Sequence, residues 1–342
     1  MRKVLVPMSC LMIGTAGLVG TVEAQKAPVA AVAKPTAGVD LTILHAQVIL
    51  GKLGFSPGVL DGKRGQSLTA ALRGFQTSRG LPTSGELDRT TLRALNPYRD
   101  WRPTRTLILS QSTTAGPFTN PFPKEPVDQA KLPALSYRNV LEKLAEQFHT
   151  TPTTLVALNN RNATLTAGSR LVLPNALPLS RDYPASFDAG WRQTLNGLNV
   201  SANQVDASRI VVDKSEGVLK VFDGRDRLVA QFPATMGSAS DPLPLGKWTI
   251  KGIAHNPTWS YNPAILKTAD KSDPKVEVPA GPNSPVGVVW IDLSKEHYGI
   301  HGTNEPSQIG RAESNGCIRL TNWDAARLSL MVKAGTPAVF QA

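Results

Sequence analysis

A thiol is a useful nucleophile only as its thiolate, and a free cysteine ionises near pH 8.5. Residues 300–320 read IHGTNEPSQIGRAESNGCIRL, with Cys317 directly after Asn315-Gly316 and sixteen residues after His301. A neighbouring imidazole can take the thiol proton and hold the thiolate as an ion pair, and His301 is the nearest candidate in sequence. Attack on an amide carbonyl also creates an oxyanion, which needs donors already in place; backbone N–H groups in a tight turn supply them. Asn315, Gly316 and Cys317 make such a turn, because Asn and Gly tolerate left-handed backbone angles and Gly leaves room for a substrate. Arg319 shares a face with Cys317 on an extended strand and suits a substrate carboxylate.

Taken singly, each residue has a bland reading. His301 reads as a satisfied structural histidine, Asn-Gly as a plain turn, and Cys317 as a small buried hydrophobe. Arg319 reads as half of a surface ion pair with Asp324 or Glu313. It is the combination that points to acyl transfer by a cysteine and a histidine.

The start of the chain bears on the thiol. Arg2 and Lys3 precede an apolar run from Val4 to about Val19, and Val22-Glu23-Ala24 follows. This is the pattern of a secretory signal over residues 1–24, cleaved after Ala24. The run is short and Gly-rich for a transmembrane helix. Cys10 leaves with the signal, so the exported chain carries Cys317 alone. A leftover thiol in an exported protein means intermolecular pairing or a reactive group. The expected location is the periplasm or cell wall. The net charge of +11 suits an anionic wall polymer, anionic lipid or nucleic acid, or is a solubility charge spread over the surface. No Lys/Arg block stands out, so a nucleic-acid partner is not expected. The five histidines have no zinc spacing, and neither a metal nor another cofactor is expected.

The elements that must position these residues follow in order. Residues 25–39 are an Ala/Pro/Val leader. Residues 40–96 carry three short helices: Leu41, Leu44 and Val48 on the first, Leu68, Ala71, Leu72 and Phe75 on the second, Leu92 and Leu95 on the third. Asp88 is the expected N-cap of the third. Such a unit buries little and is read as a binding module. Residues 97–134 form a Pro-rich linker with one strand-like piece, TLILS. Residues 135–175 contain two helices, one with Leu141, Leu144, Ala145 and Phe148 and one opening at Thr151-Pro152, closed by a strand at AGSRLVLP. His149 is read as a helix-end residue. Residues 176–207 look irregular and are read as a linker. From 208 to 342 short strands dominate (RIVVD, VLKVFD, LVAQFPATMG, GKWTIKGIA, VGVVWIDL), the pattern of a sandwich or barrel. A Pro-rich excursion at 257–286 is expected to form a lid or site wall.

The stretches LGF (53–55), GVLDG (58–62), Phe75-Gln76 and GLPTSGELD (80–88) resemble the peptidoglycan-binding three-helix domain, although Lys63-Arg64 replaces the usual apolar residue after the turn. The strand–helix–helix–strand order at 135–175 resembles a LysM module, a glycan binder. MGSASDPLPLGKWTI, HNPTW, VPAGPNSPVGVVWIDL, YGIHGTNEP and SNGCIRLTNWDA are similar to an L,D-transpeptidase catalytic domain of the YkuD type. The implied fold class is multidomain α+β, ending in a mainly-β, sandwich-like domain. The resemblance implies Cys317 as nucleophile, His301 as base, Gly302 as the carbonyl orienting it, and Asn315, Gly316 and Cys317 as oxyanion donors. It further implies Arg319 on the stem-peptide carboxylate, with Ser314, His255 and Tyr298 at the substrate; Tyr261 is a further groove candidate. Many members have His at position 315, so His301 is the only imidazole in the motif here. The implied reaction cross-links tetrapeptide stems 3→3 with loss of D-alanine, or attaches a lipoprotein. Carbapenems are expected covalent inhibitors. An L,D-carboxypeptidase using water, and a non-catalytic peptidoglycan-binding protein, remain alternatives. A Cys-His endopeptidase of another fold would place the Cys before the His at a helix start, opposite to the order here.

Overall fold

A computed structural model describes residues 38–238, 241–264, 269–311 and 316–342. The expected signal and most of the leader lie outside them. The N-terminal apolar faces form α1 (Leu41–Lys52), α2 (Gln66–Ser78) and α3 (Arg89–Leu95). Asp40 caps α1 by accepting from the Thr42 and Ile43 amides, and Asp88 caps α3 by accepting from Thr91 N. Ile43, Leu50, Phe55, Leu68, Leu72, Phe75 and Leu95 share a small core. Two buried amides set its turns. Gln47 accepts from the Asp61 and Gly62 amides, and Gln76 accepts from Gly85 N while donating to Glu86 O and Thr91 Oγ1. The GVLDG and GLPTSGELD stretches are thereby fixed by side chains on the helices they connect.

The second unit starts earlier than its local pattern suggests. β1 (Thr104–Ile108) lies inside the segment read as a linker, and α4 (Gln111–Thr114), α5 (Pro126–Gln129), α6 (Val140–Gln147) and α7 (Pro152–Asn159) follow it. β2 (Arg170–Pro174) then pairs antiparallel with β1, Thr104 opposite Pro174. Because that partner is remote in sequence, local periodicity could not reveal the pairing. Leu135, where the unit was expected to begin, is fully buried against Tyr261 and Val278 instead.

The segment 176–207 is not a plain linker either. It forms α8 (Ala189–Gly197), capped by Asp188, and Trp191, Leu195, Leu198 and Val200 enter the main core of the C-terminal domain. Within the helix only Trp191 and Leu195 are buried, one apolar position per turn, too few to mark it by pattern alone.

The C-terminal strands are β3 (Arg209–Asp213), β4 (Val218–Phe222), β5 (Leu228–Pro233), β6 (Thr235–Met236), β7 (Gly246–His255), β8 (Trp259–Tyr261), β9 (Val276–Val278), β10 (Val289–Leu293), β11 (Gly299–His301) and β12 (Ile318–Arg319). After α9 (Asn322–Ser329) comes β13 (Pro337–Gln341). Among the described residues nine strands run β5-β4-β3-β13-β7-β10-β11-β12-β6. β7 is the corner: Gly246–Thr249 pair with β13 and Ile250–His255 with β10. One strand thus serves two half-sheets, a sandwich-like solution that lets both bury one core. Ile210, Val212, Leu219, Phe232, Ile250, Ile291, Ile300, Ile318 and Trp323 fill it. The excursion forms the antiparallel β8–β9 hairpin, and it packs on Phe122, Ala130, Leu132 and Leu135 of the second unit.

The N-terminal unit docks on the open side of β5. Ser56 N donates to Gln231 O at 2.9 Å, Gln231 N donates to Gly54 O at 3.0 Å, and Gln231 Nε2 donates to Ala70 O at 2.7 Å. Gly54 has φ +104°, and a Cβ there would lie 2.7 Å from Val229 O. The glycine of LGF is therefore required both by its backbone angle and by the close approach to β5.

Candidate active site

β11 and β12 run parallel with His301 opposite Arg319 and Ile300 opposite Ile318. Alternate residues of a strand share a face. Ile300 and Ile318 point into the core, both fully buried, so His301, Arg319 and Cys317 project together from the other face. Strands about 4.8 Å apart rising about 3.3 Å per residue place the Cα atoms of Cys317 and His301 on the order of 8 Å apart, on a diagonal. Short β12 ends against β6, which puts Thr235 beside Arg319.

His301 is 4% exposed, and its Nδ1 lies 2.7 Å from the Gly302 carbonyl oxygen. A carbonyl only accepts, so Nδ1 carries the proton and Nε2 is left as the basic nitrogen. The ring stacks on Trp290, centroids 5.3 Å apart and planes 17° apart. Burial, with the Arg319 charge added, pushes the imidazole pKa down to about 4; the Gly302 carbonyl pulls the other way. Gly302 itself cannot carry a side chain, since a Cβ would meet Asn322 Oδ1 at 2.1 Å.

Cys317 is partly buried and unoxidised. Gly316 before it has φ +86°, and a Cβ there would meet the Tyr298 ring at 2.7 Å. The thiol donates to His297 O at 3.9 Å, and the Gly299 amide points at the sulfur. Burial pushes the thiol up from its ordinary value, and the Asp241 charge adds to this; the Gly299 amide and Arg319 pull it down. Burial thus disfavours the charged form of each group, which works against the thiolate–imidazolium pair expected from sequence.

Arg319 Nε is buried with no hydrogen-bond partner among the described residues. The suggested partner Asp324 is fully buried elsewhere and accepts from Ser56 Oγ at 2.7 Å. A guanidinium unpaired here is suited to an incoming anion. Ser314, Asn315 and Glu313 lie outside the described residues.

The remaining candidates divide. Tyr298 lies against Gly316, and its phenol is pushed up by burial and by the charge of Asp241, to which it is hydrogen-bonded. His255 is not brought to the site. It pairs with Val289, one residue out of phase with Trp290, so it faces the core side of the sheet. There it stacks on Trp191 at 4.0 Å and 6°, and burial lowers its pKa. Tyr261 donates to Asp273 Oδ2 at 2.8 Å within the β8–β9 hairpin. Two contributors were missed. Asp241 lies in GSASDPLPLG, which carries no periodicity. Trp290 lies on the same face of the sheet as His301 and covers Gly299, where a Cβ would come within 2.5 Å of its ring.

The chain resembles known families over its N-terminal unit and its β-sheet domain. The family described as "YkuD: L,D-transpeptidase catalytic domain" matches residues 207–340, and the "Putative peptidoglycan binding domain" family matches residues 42–95. The "Putative L,D-transpeptidase YkuD" of Bacillus licheniformis is 35% identical over 153 residues, 42% of this chain and 77% of that protein. Its Bacillus subtilis namesake is 27% identical over 200 residues, 58% of this chain and 91% of that protein. A solved L,D-transpeptidase from Mycobacterium smegmatis is similar over 39% of this chain and 58% of that one, at 24% identity and a TM-score of 0.32. With its helical N-terminal unit and its β-sheet domain carrying thiol, imidazole and guanidinium on one face, the chain belongs to the YkuD family of L,D-transpeptidases.

Proposed function

We propose that the chain is an exported L,D-transpeptidase that forms 3→3 cross-links between peptidoglycan stems through a thioester on Cys317. The observation that carries this reading is the shared face of β11 and β12, where the thiol, an imidazole with Nε2 free to accept a proton, and an unpartnered Arg319 stand together. The thiol proton passes to His301 Nε2 as Sγ bonds to the carbonyl of the third stem residue. Backbone N–H groups at Gly316 and Cys317 receive the oxyanion. The C–N bond to D-alanine breaks, and its amine leaves with the proton held by His301. Arg319 holds the stem carboxylate during this step. The side-chain amine of a second diaminopimelate then attacks the thioester, and the thiol is restored. A lipoprotein lysine or water in place of that amine gives the anchoring or carboxypeptidase outcome from the same intermediate.

The N-terminal unit, and the second unit whose α6, α7 and β2 resemble part of a LysM module, are read as contacts to wall polymer. The Arg-Lys start, apolar run and Val22-Glu23-Ala24 support export to the periplasm or wall.

Incubation of the purified chain with tetrapeptide muropeptides, followed by mass analysis, tests the reaction. Cross-linked dimers with loss of D-alanine are expected. Tripeptides alone would establish hydrolysis, and unchanged stems, or activity surviving Cys317→Ala, would sink the cysteine mechanism. A carbapenem is expected to add its mass to Cys317; an unmodified protein after long incubation would count against an accessible thiol.

A further inference from the structure

We infer that Glu146, a residue of the second unit and not of the transpeptidase domain, is a positioning residue for acyl transfer: through Asn322 it fixes the Gly302 carbonyl that orients His301. The inference rests on reading His301 as the base.

The link is continuous and buried. Glu146 on α6 accepts from Asn322 Nδ2 at 2.7 Å, and Asn322 is fully buried at the start of α9. The second Nδ2 hydrogen goes to Pro282 O at 3.0 Å, while Oδ1 accepts from Val288 N at 3.1 Å. Every polar group of the Asn322 side chain is thus engaged, one of them by another unit. Oδ1 is wedged between two glycines: a Cβ on Gly287 or on Gly302 would each stand 2.1 Å from it. Asn322 therefore cannot shift without moving the Gly302 backbone, and Gly302 O is the acceptor that selects the His301 tautomer.

Glu146 is itself held. Tyr137 is hydrogen-bonded to it, and Glu142 lies near enough for its charge to be felt. A second contact, one residue on from Asn322 and three on from Glu146, reinforces the joint: His149 stacks on Trp323, centroids 4.8 Å apart and planes 10° apart. Removing the Glu146 carboxyl would leave one Asn322 N–H without a partner in a dry site, where an unmet donor is costly. The amide would then keep two of its three anchors, and its hold on the Gly302 backbone would loosen.

Full-length wild type, Glu146→Ala, Glu146→Gln and Leu155→Ala separate positioning from mere stability. Leu155 lies in the second unit's own core and makes none of the hydrogen bonds of the link. Turnover of tetrapeptide stems and the imidazole 15N shifts of His301 are measured on each. Glu146→Ala is expected to lower kcat roughly ten-fold or more, as misplaced catalytic groups do, with little change in KM. It should also lose the Nδ1–H tautomer signature. Glu146→Gln keeps an oxygen for Asn322 and should restore both. Leu155→Ala should lower Tm but preserve kcat and tautomer. An unchanged tautomer in Glu146→Ala, a loss no larger than that of Leu155→Ala, or failure of Glu146→Gln to rescue would overturn the inference. If wild type itself turns over no stems, the functional reading fails, and the 15N shifts still decide the link.

Discussion

The Ser56 hydroxyl donates to the Asp324 carboxylate at 2.7 Å, entirely out of solvent, and so joins the peptidoglycan-binding unit to the helix that follows the reactive strand. Asp324 is fully buried, and burial pushes its pKa up to about 6 despite Arg327 and the hydroxyls of Ser56 and Thr321. Ser56→Ala would leave this carboxylate short of a donor. The expected loss is about 1–3 kcal/mol of unfolding free energy by urea titration. A loss within error would mean that the two units are not energetically joined there.

Gly302→Ala is expected to be far more damaging than its size suggests. The new methyl would collide with Asn322 Oδ1, and neither neighbour has room to yield. Overpacking of this kind costs about 1–3 kcal/mol, and the His301 carbonyl partner moves with it. Thermal melting and stem turnover should both fall. Full activity in a folded Gly302→Ala protein would show that the carbonyl does not orient the ring.

The burial of the thiol makes a kinetic prediction. Alkylation of Cys317 by iodoacetamide should rise through the alkaline range, with an apparent pKa above the ordinary thiol value, because burial and Asp241 outweigh the Gly299 amide and Arg319. A rate already at its plateau below neutrality would reveal a resting thiolate and refute that description.

Arg319→Met removes the charge beside both reacting groups. KM for the donor stem is expected to rise roughly ten- to hundred-fold, the worth of a charge-assisted bond. The thiol should become harder to ionise and His301 easier to protonate, since Arg319 lowers the pKa of each. If KM stays fixed while only the pH profile moves, the stem carboxylate is bound elsewhere.

Glu146 gives a stability test with a definite sign. Burial raises its folded pKa to about 7 from the ordinary 4.5. Between these values the native state binds more protons than the unfolded chain, so this contribution is complete below 4.5 and is lost as pH rises through 7. The stability of Glu146→Gln relative to wild type should therefore improve as pH climbs across that window and level off above it. A difference that is flat with pH would mean the carboxyl is not buried as described.

Much of this was legible in the residues themselves. The i, i+2 spacing of Cys317 and Arg319 announces a shared face, His301 is marked by its nearness in sequence, and the short apolar runs from Arg209 to Leu293 read as strands. What stayed hidden depends on partners far away in sequence. β1 reads as an isolated scrap until β2 is in place, and α8 looks irregular because only Trp191 and Leu195 anchor it. His255 was expected at the substrate, but its register opposite Val289 turns it to the core face, and neighbouring strand positions face opposite ways. Asp241 and Glu146 carry no local signal, since each matters only for what the fold sets beside it.

The way the LGF turn lies along Gln231 has a consequence for how this protein survives in solution. β5 ends the sheet, and an unsealed border of that kind invites another molecule to add a strand. Here the chain's own Gly54 and Ser56 occupy part of that border. A version trimmed to the transpeptidase domain would lose its self-made selvage, and clumping of exposed borders, more than slower chemistry, would be its first symptom.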